Sequence, residues 1–163
     1  MATTKFDEVL KKDPSNSLAL ASMASMAYNS ASSGTPDQKS AALEDARKWN
    51  QRSIEVDPKD SEPYYYLGVI NWAQAFPPIR DARMDAKMPN NDPGPIKDNK
   101  VKDELKEKYG KQVDDGIDNL KKCLAIDNEN EDAMSYINLL LRTKAALADS
   151  PEEAKAEVAQ AED

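Results

Sequence analysis

Apolar residues recur every three or four positions along most of the chain, the spacing that places them on one face of an α-helix. Clusters of serine, glycine, proline and aspartate separate these stretches, as is typical of turns. The pattern predicts helices at Thr4–Lys12, Ser17–Ser30, Ala41–Val56, Ser61–Phe76, Val101–Ile126, Asp132–Leu147 and Pro151–Ala161. The expected fold class is therefore all-α.

Several residues predict where helices begin and end. Ser61 is placed to cap the fourth helix, and Ser150, followed three positions later by Glu153, is placed to cap the last. The pair Pro77-Pro78 predicts the end of the fourth helix, because proline has no backbone N–H to donate. The proline-rich stretch that follows, to about Lys100, is expected to be a long loop, and we predict a lid or a partner-docking arm.

Three polar turns share one register. They are Asp13-Pro14-Ser15-Asn16, Asp57-Pro58-Lys59-Asp60 and Asp127-Asn128-Glu129-Asn130. A bulky residue stands six positions after the second residue of each turn: Leu20, Tyr64 and Met134. A small residue stands twelve positions before that same point: Ala2, Ala46 and Gly116. Small residues at regular positions allow helices to approach closely.

This register resembles the tetratricopeptide repeat, a helix-turn-helix unit of about 34 residues. Tyr64, Leu67 and Gly68 carry the best match to the signature of the first helix. Asn71 and Asn50 stand where the family has aromatic residues. The turns lie 44 and 70 residues apart, so the repeats carry insertions of about ten and about thirty-six residues between their two helices.

The resemblance implies an α-solenoid of tetratricopeptide-like repeats with a long insertion inside the second repeat. The expected divisions of a single domain, 1–163, are a partial repeat or cap helix at 1–14, repeat one at 15–58, repeat two at 59–128 with its insertion at about 77–100, and repeat three or a C-terminal cap at 129–163. Because a second helix without a first opens the chain, either Thr4–Lys12 is a cap or the chain is a piece of a longer protein.

The resemblance also implies that first helices line a concave groove. The candidate groove residues are Tyr28, Glu62, Tyr65, Val69, Trp72, Leu139 and Arg142. Tyr65 and Trp72 are seven residues apart and share a helix face, so they would anchor a ligand, and Arg142 would hold a carboxylate. The competing interpretation is that these two aromatic residues pack against the insertion or a neighbouring helix.

Some family members bind chaperone tails through lysine, arginine and asparagine on successive first helices. The corresponding positions here are Ala21, Ser25, Tyr65, Val69, Asp132 and Ser135. This disfavours an adaptor for chaperone tails. A more apolar or aromatic-anchored peptide segment is the expected ligand.

The amino-acid composition excludes several classes of catalytic and metal site. With no histidine and one cysteine, Cys123, the chain has neither a histidine-dependent triad or zinc site nor an internal disulfide. Cys123 lies on the inner stripe of its helix, where packing is expected. We predict no catalytic residues, no metal site and no cofactor.

The charge of the chain limits the classes of partner that it is expected to bind. The net charge of −8 disfavours nucleic acid, and most of the acidity lies in the last third of the chain. No apolar run approaches the roughly 20 residues that span a bilayer, so no membrane insertion is expected. The sequence does not decide the cellular location, which is cytoplasmic by default and exported if a leader has been removed. It does not decide the oligomeric state either.

Together these features predict a non-catalytic scaffold that binds a protein or peptide in the groove. The alternative is a module for self-assembly, or for docking within a larger protein or complex. The open ends of the expected stack and the apolar stripe of the last helix, Ala154, Val158 and Ala161, motivate that alternative.

Overall fold

A computed structural model of the chain describes residues 2–89, 92 and 94–162, and these residues form seven α-helices with no strand. The helices are α1 Ala2–Lys12, α2 Ser17–Ser30, α3 Pro36–Val56, α4 Glu62–Asp85, α5 Asn99–Ile126, α6 Glu131–Ala145 and α7 Pro151–Glu162. The all-α prediction is confirmed. Within the described ranges, no helix is long and apolar enough to cross a membrane.

Helix α3 begins five residues earlier than predicted because of a cap that the prediction overlooked. The Thr35 hydroxyl accepts from the backbone N–H of Gln38 at 3.3 Å, and the Gln38 side chain accepts from the Thr35 N–H at 2.8 Å. This reciprocal pair, with Pro36 inside the first turn, is a strong helix start.

The predicted end of α4 at Pro77-Pro78 is wrong, since the helix continues through both prolines to Asp85. An interior proline costs about 3 kcal/mol through its missing hydrogen bond and its ring. Packing on both sides of the pair opposes that cost. Ala75 before it and Ile79 after it are both fully buried in the same hydrophobic cluster.

The insertion predicted at about 77–100 is consequently shorter. Its first part belongs to α4 and its last two residues to α5, which leaves a connection at 86–98; residues 90, 91 and 93 lie outside the described ones. The connection is anchored rather than loose. Met88 and Ile96 are buried, and the Ile96 N–H donates to the Ala146 carbonyl at 3.0 Å.

The three polar turns share one hydrogen-bond pattern. Each begins with an aspartate whose carboxylate accepts from the backbone N–H two residues later. These bonds are Ser15 to Asp13 at 3.2 Å, Lys59 to Asp57 at 2.9 Å and Glu129 to Asp127 at 3.3 Å. Each aspartate N–H also closes the preceding helix, donating at 2.8 Å to Val9, Ser53 or Cys123.

The two predicted serine caps differ in outcome. Ser150 Oγ accepts from the Glu153 N–H at 3.1 Å, which confirms the cap of α7. Ser61 forms no side-chain cap; instead Asp60 accepts from the Glu62 N–H at 3.0 Å. The carboxylate one residue earlier satisfies the free N–H at that helix end.

Each helix packs against the next one in the chain, and α4 also packs against α6. Two glycines permit close approaches between helices. A Cβ atom on Gly68 would lie 2.7 Å from Leu120 Cδ2, and one on Gly116 would lie 2.9 Å from Leu140 Cδ1 and 3.0 Å from Asn71 Cβ. The small-residue prediction at Gly116 is therefore confirmed.

The core is distributed unevenly. One large cluster joins α4, α5 and α6 to the 86–98 connection, around Ile79, Val113, Leu120 and Leu140. Smaller clusters join α1 to α2 and α2 to α3 and α4. Cys123 is buried in the large cluster, as predicted, and this burial raises the pKa of its thiol.

Candidate functional site

Six aromatic rings form a continuous row across three helices, which we call the aromatic row. Consecutive ring centroids are 5.7 Å apart for Tyr28–Tyr66, 5.3 Å for Tyr66–Tyr65, 5.9 Å for Tyr65–Tyr136, 5.4 Å for Tyr136–Trp72 and 5.0 Å for Trp72–Phe76. All six side chains are partly exposed. The row thus begins on α2, follows α4 and is crossed by one residue of α6.

Helical spacing accounts for the row along α4. Tyr65, Trp72 and Phe76 are separated by seven and four residues, which places them on one face. Tyr136 of α6 lies between the first two and meets both rings edge-on, at 76° and 74°. Edge-on contacts of this kind are favourable because the ring edge is positive and the ring face is negative.

The pKa values of three tyrosines of the row, Tyr28, Tyr65 and Tyr66, are raised. Burial, with electrostatic repulsion from Tyr136 and Asp132, raises the pKa of Tyr65 to about 12. Burial also raises the pKa of Tyr28 and that of Tyr66, to which the Glu62 carboxylate contributes. These phenols are therefore neutral at physiological pH and present O–H groups that can donate or accept.

The predicted groove residues fall into four groups, of which the fourth, Leu139 and Arg142, lines a separate cavity. Tyr28, Tyr65 and Trp72 belong to the aromatic row, so the competing interpretation is correct in part: the rings pack against a neighbouring helix but remain partly exposed. Glu62 is exposed beside the row. Val69 is 2 % exposed, so its side chain packs in the interior and does not contribute a groove surface as predicted.

Sequence reasoning missed Tyr66, Tyr136 and Phe76. A signal was present for two of them. Tyr66 and Tyr136 each stand two residues after the bulky residue of their register, Tyr64 and Met134. Phe76 directly precedes Pro77-Pro78 and is the last residue of the predicted helix, so the pattern gives no signal for its contact with Trp72.

Leu139 and Arg142 line a separate cavity of about 540 Å³, which we call the terminal pocket. It lies between the end of α4, the 86–98 connection, α6 and α7. Its apolar lining includes Phe76, Ile79, Met84, Met88, Leu139, Ala146 and Val158, and its charged lining is Arg80, Arg83, Arg142 and Asp92. Phe76 belongs to both features, so the aromatic row leads into the pocket.

The three arginines of the pocket are held differently. Arg80 pairs with Asp81 at 2.7 Å and lies over the Phe76 ring at 5.7 Å. Arg83 donates to the backbone carbonyls of Gly94, at 2.7 Å, and of Asp92. Arg142 Nε donates to the Asn138 side chain at 2.9 Å.

A second cavity, of about 560 Å³, lies between the end of α4 and the start of α5. Four of its lining residues are acidic: Asp81, Asp85, Asp98 and Glu104. Within the part of the chain that the structure describes, no three such side chains converge as metal ligands would.

Comparison with known proteins found no match, since no family model, no curated protein and no solved structure is significantly similar to this chain. The functional conclusions below therefore rest on the geometry of the aromatic row and the terminal pocket.

Proposed function

We propose that the chain is a tetratricopeptide-like α-solenoid that binds an extended segment of a partner protein across α2, α4 and α6, without catalysis. The repeated turns support the repeat assignment, because the same three-residue hydrogen-bond pattern precedes each of these helices. The packing of α4 against α6 supports a surface built from first helices.

The aromatic row is the observation that carries this proposal. Tyrosine and tryptophan are enriched at protein interfaces because they bury a large area and retain a polar group. Here such residues come from three helices and form one continuous, partly exposed strip. A strip of this kind suits an extended segment that places successive apolar side chains along it.

Charge beside the row indicates the chemistry of the segment. Glu62 and Asp132 are exposed and near enough to raise the pKa values of Tyr66 and Tyr65 respectively. These carboxylates favour a basic residue at that end of the segment, and they disfavour an acidic tail. We therefore propose a partner segment with apolar or aromatic anchors and a nearby lysine or arginine.

The test is selection from a displayed library of random 12-residue peptides. Selected peptides should combine aromatic or aliphatic residues with basic ones. Glu62→Lys and Asp132→Lys should each weaken binding of a selected peptide about tenfold, whereas Glu55→Lys on the exposed side of α3 should leave it unchanged. Trp72→Ala should abolish binding at unchanged helicity by circular dichroism.

Selected peptides that bind all four variants equally would refute the proposal.

The alternative of self-assembly through α7 has lost its main support, because the apolar stripe of that helix is occupied within the chain. Ala154 is fully buried against Ala145 and Ala148, and Val158 packs on the same cluster.

A further inference from the structure

We infer that the terminal pocket binds an apolar molecule that carries one carboxylate, such as a medium-chain carboxylic acid. This would be a second function, separate from recognition of a peptide on the aromatic row. The cavity volume of about 540 Å³ lies in the usual range for small-molecule sites, about 300–1,000 Å³.

The apolar part of the lining provides the driving force. Ile79 and Met88 form a buried floor, while Met84 is 64 % exposed and Leu139 is 38 % exposed. Exposed apolar side chains beside a cavity lose their contact with water when an acyl chain enters, and this loss is favourable. The walls therefore select an apolar tail.

Arg83 provides the polar contact. Its guanidinium donates one N–H from each terminal nitrogen to a backbone carbonyl, which leaves three of its five N–H groups for a ligand. Both carbonyls are neutral, and among the described residues no carboxylate lies within ion-pair distance of Arg83. A fixed, planar cation suits a carboxylate, and its rotamer is already restricted before binding.

The other charges favour a single negative charge on the ligand. Arg80 is already paired with Asp81. Asp92 also lines the pocket, where its carboxylate accepts from the Gly94 N–H at 2.8 Å, and it would repel a dianion such as a phosphate monoester. Arg142, the third arginine of the lining, already donates to the Asn138 side chain. The Arg83 guanidinium, with two neutral carbonyls as its partners, is therefore the group that matches one carboxylate.

Fluorescence of Trp72 can report binding. The chain has two tryptophans, and Trp72 stacks on Phe76, which lines the pocket. In a Trp49→Phe background, sodium decanoate below its micellar concentration should produce a saturable change in emission. Decanol and decyltrimethylammonium have the same tail without the carboxylate, and each should bind at least tenfold more weakly. Equal binding of either one would overturn the inference.

Variants test the role of the arginine. Arg83→Leu should abolish decanoate binding, but it also removes two bonds to the 86–98 connection. Met84→Glu avoids that problem, because it places a negative charge at an exposed position beside Arg83, and it should weaken decanoate at least tenfold. Gln51→Glu adds the same charge at an exposed position of α3 and should leave the affinity for decanoate within twofold of the original. Unchanged decanoate affinity in Met84→Glu would overturn the inference.

Discussion

The two halves of the molecule bury their side chains in different ways. Helices α4 to α7 share one large hydrophobic cluster, into which the 86–98 connection inserts Ile96. Helices α1 to α3 have small clusters, around Leu20 and around Leu43. In the C-terminal half one large cluster is shared by several elements, whereas each cluster of the N-terminal half consists of few side chains.

A small hydrophobic cluster and a few other contacts join the halves. In the cluster, Ile70 of α4 packs with Leu43 and Ala46 of α3. The Tyr28–Tyr66 contact links α2 to α4. Gln74 of α4 accepts from Arg47 at 2.6 Å and donates to Glu44 at 2.8 Å, and it also accepts from Gln112 of α5. A structure with one large cluster in one half and smaller clusters elsewhere is expected to open unevenly.

The largest expected effect on stability comes from a comparison of two leucine substitutions, one in each half. Leu120→Ala, at a fully buried position of the large cluster, should lower the free energy of unfolding by about 2–5 kcal/mol in urea denaturation. Leu10→Ala, in the α1–α2 cluster, should cost about 2 kcal/mol or less, because α1 can detach alone. Equal losses, with one shared transition, would show that the halves unfold together.

A second test adds one methyl group between α4 and α5. Gly68→Ala should lower the free energy of unfolding by about 1–3 kcal/mol, because its Cβ would clash with Leu120. In a Leu120→Ala background this cost should largely vanish, since the clashing atoms are gone. Gly110→Ala is the control: only Lys106 Cγ lies nearby, at 3.6 Å, and the helix should gain up to about 1 kcal/mol.

A third test uses buried asparagines, one in each half. Asn71 is 1 % exposed, and its side-chain amide has no hydrogen-bond partner among the described residues. Asn71→Leu should therefore raise the free energy of unfolding by about 1–2 kcal/mol. Asn50 donates to the Ala46 carbonyl at 2.9 Å, so Asn50→Leu should bring no such gain in a thermal melt.

The substitution expected to change stability least at neutral pH is Tyr65→Phe, at the point where the row meets α6. The folded-state pKa of Tyr65, about 12, exceeds the unfolded value of about 10, so the folded state holds this proton more tightly. Its contribution to stability is complete below pH 10 and is lost as pH rises to 12. Tyr65→Phe should flatten that fall, and phenolate absorbance should lose a titration near pH 12; an unaltered titration curve would contradict the assignment.

The sequence predicted those features that depend on neighbouring residues. The aspartate turns and the Ser150 cap were predictable because their hydrogen bonds close within four residues. The continuation of α4 was not, because the proline rule is local while the burial of Ile79 depends on Ile96 and other distant residues of its cluster. Tertiary packing overrode local preference there.

In the candidate site, too, local features were predictable and features that depend on tertiary packing were not. Tyr65 and Trp72 were predictable as one face of a helix, since their spacing alone places them together. Tyr136 joined them only through the packing of α6 on α4. The terminal pocket could not be predicted, because its walls come from α4, the connection, α6 and α7, and the predicted helix end had separated Arg83 from that face.

Because α4 continues through Pro77-Pro78, one helix of 24 residues, about 36 Å at 1.5 Å per residue, contributes to both the row and the pocket wall. Two occupants, a segment on the row and an acid in the pocket, would therefore contact the same helix. Thermodynamic linkage then imposes a symmetry: whatever factor the acid applies to the affinity for the segment, the segment must apply to the affinity for the acid.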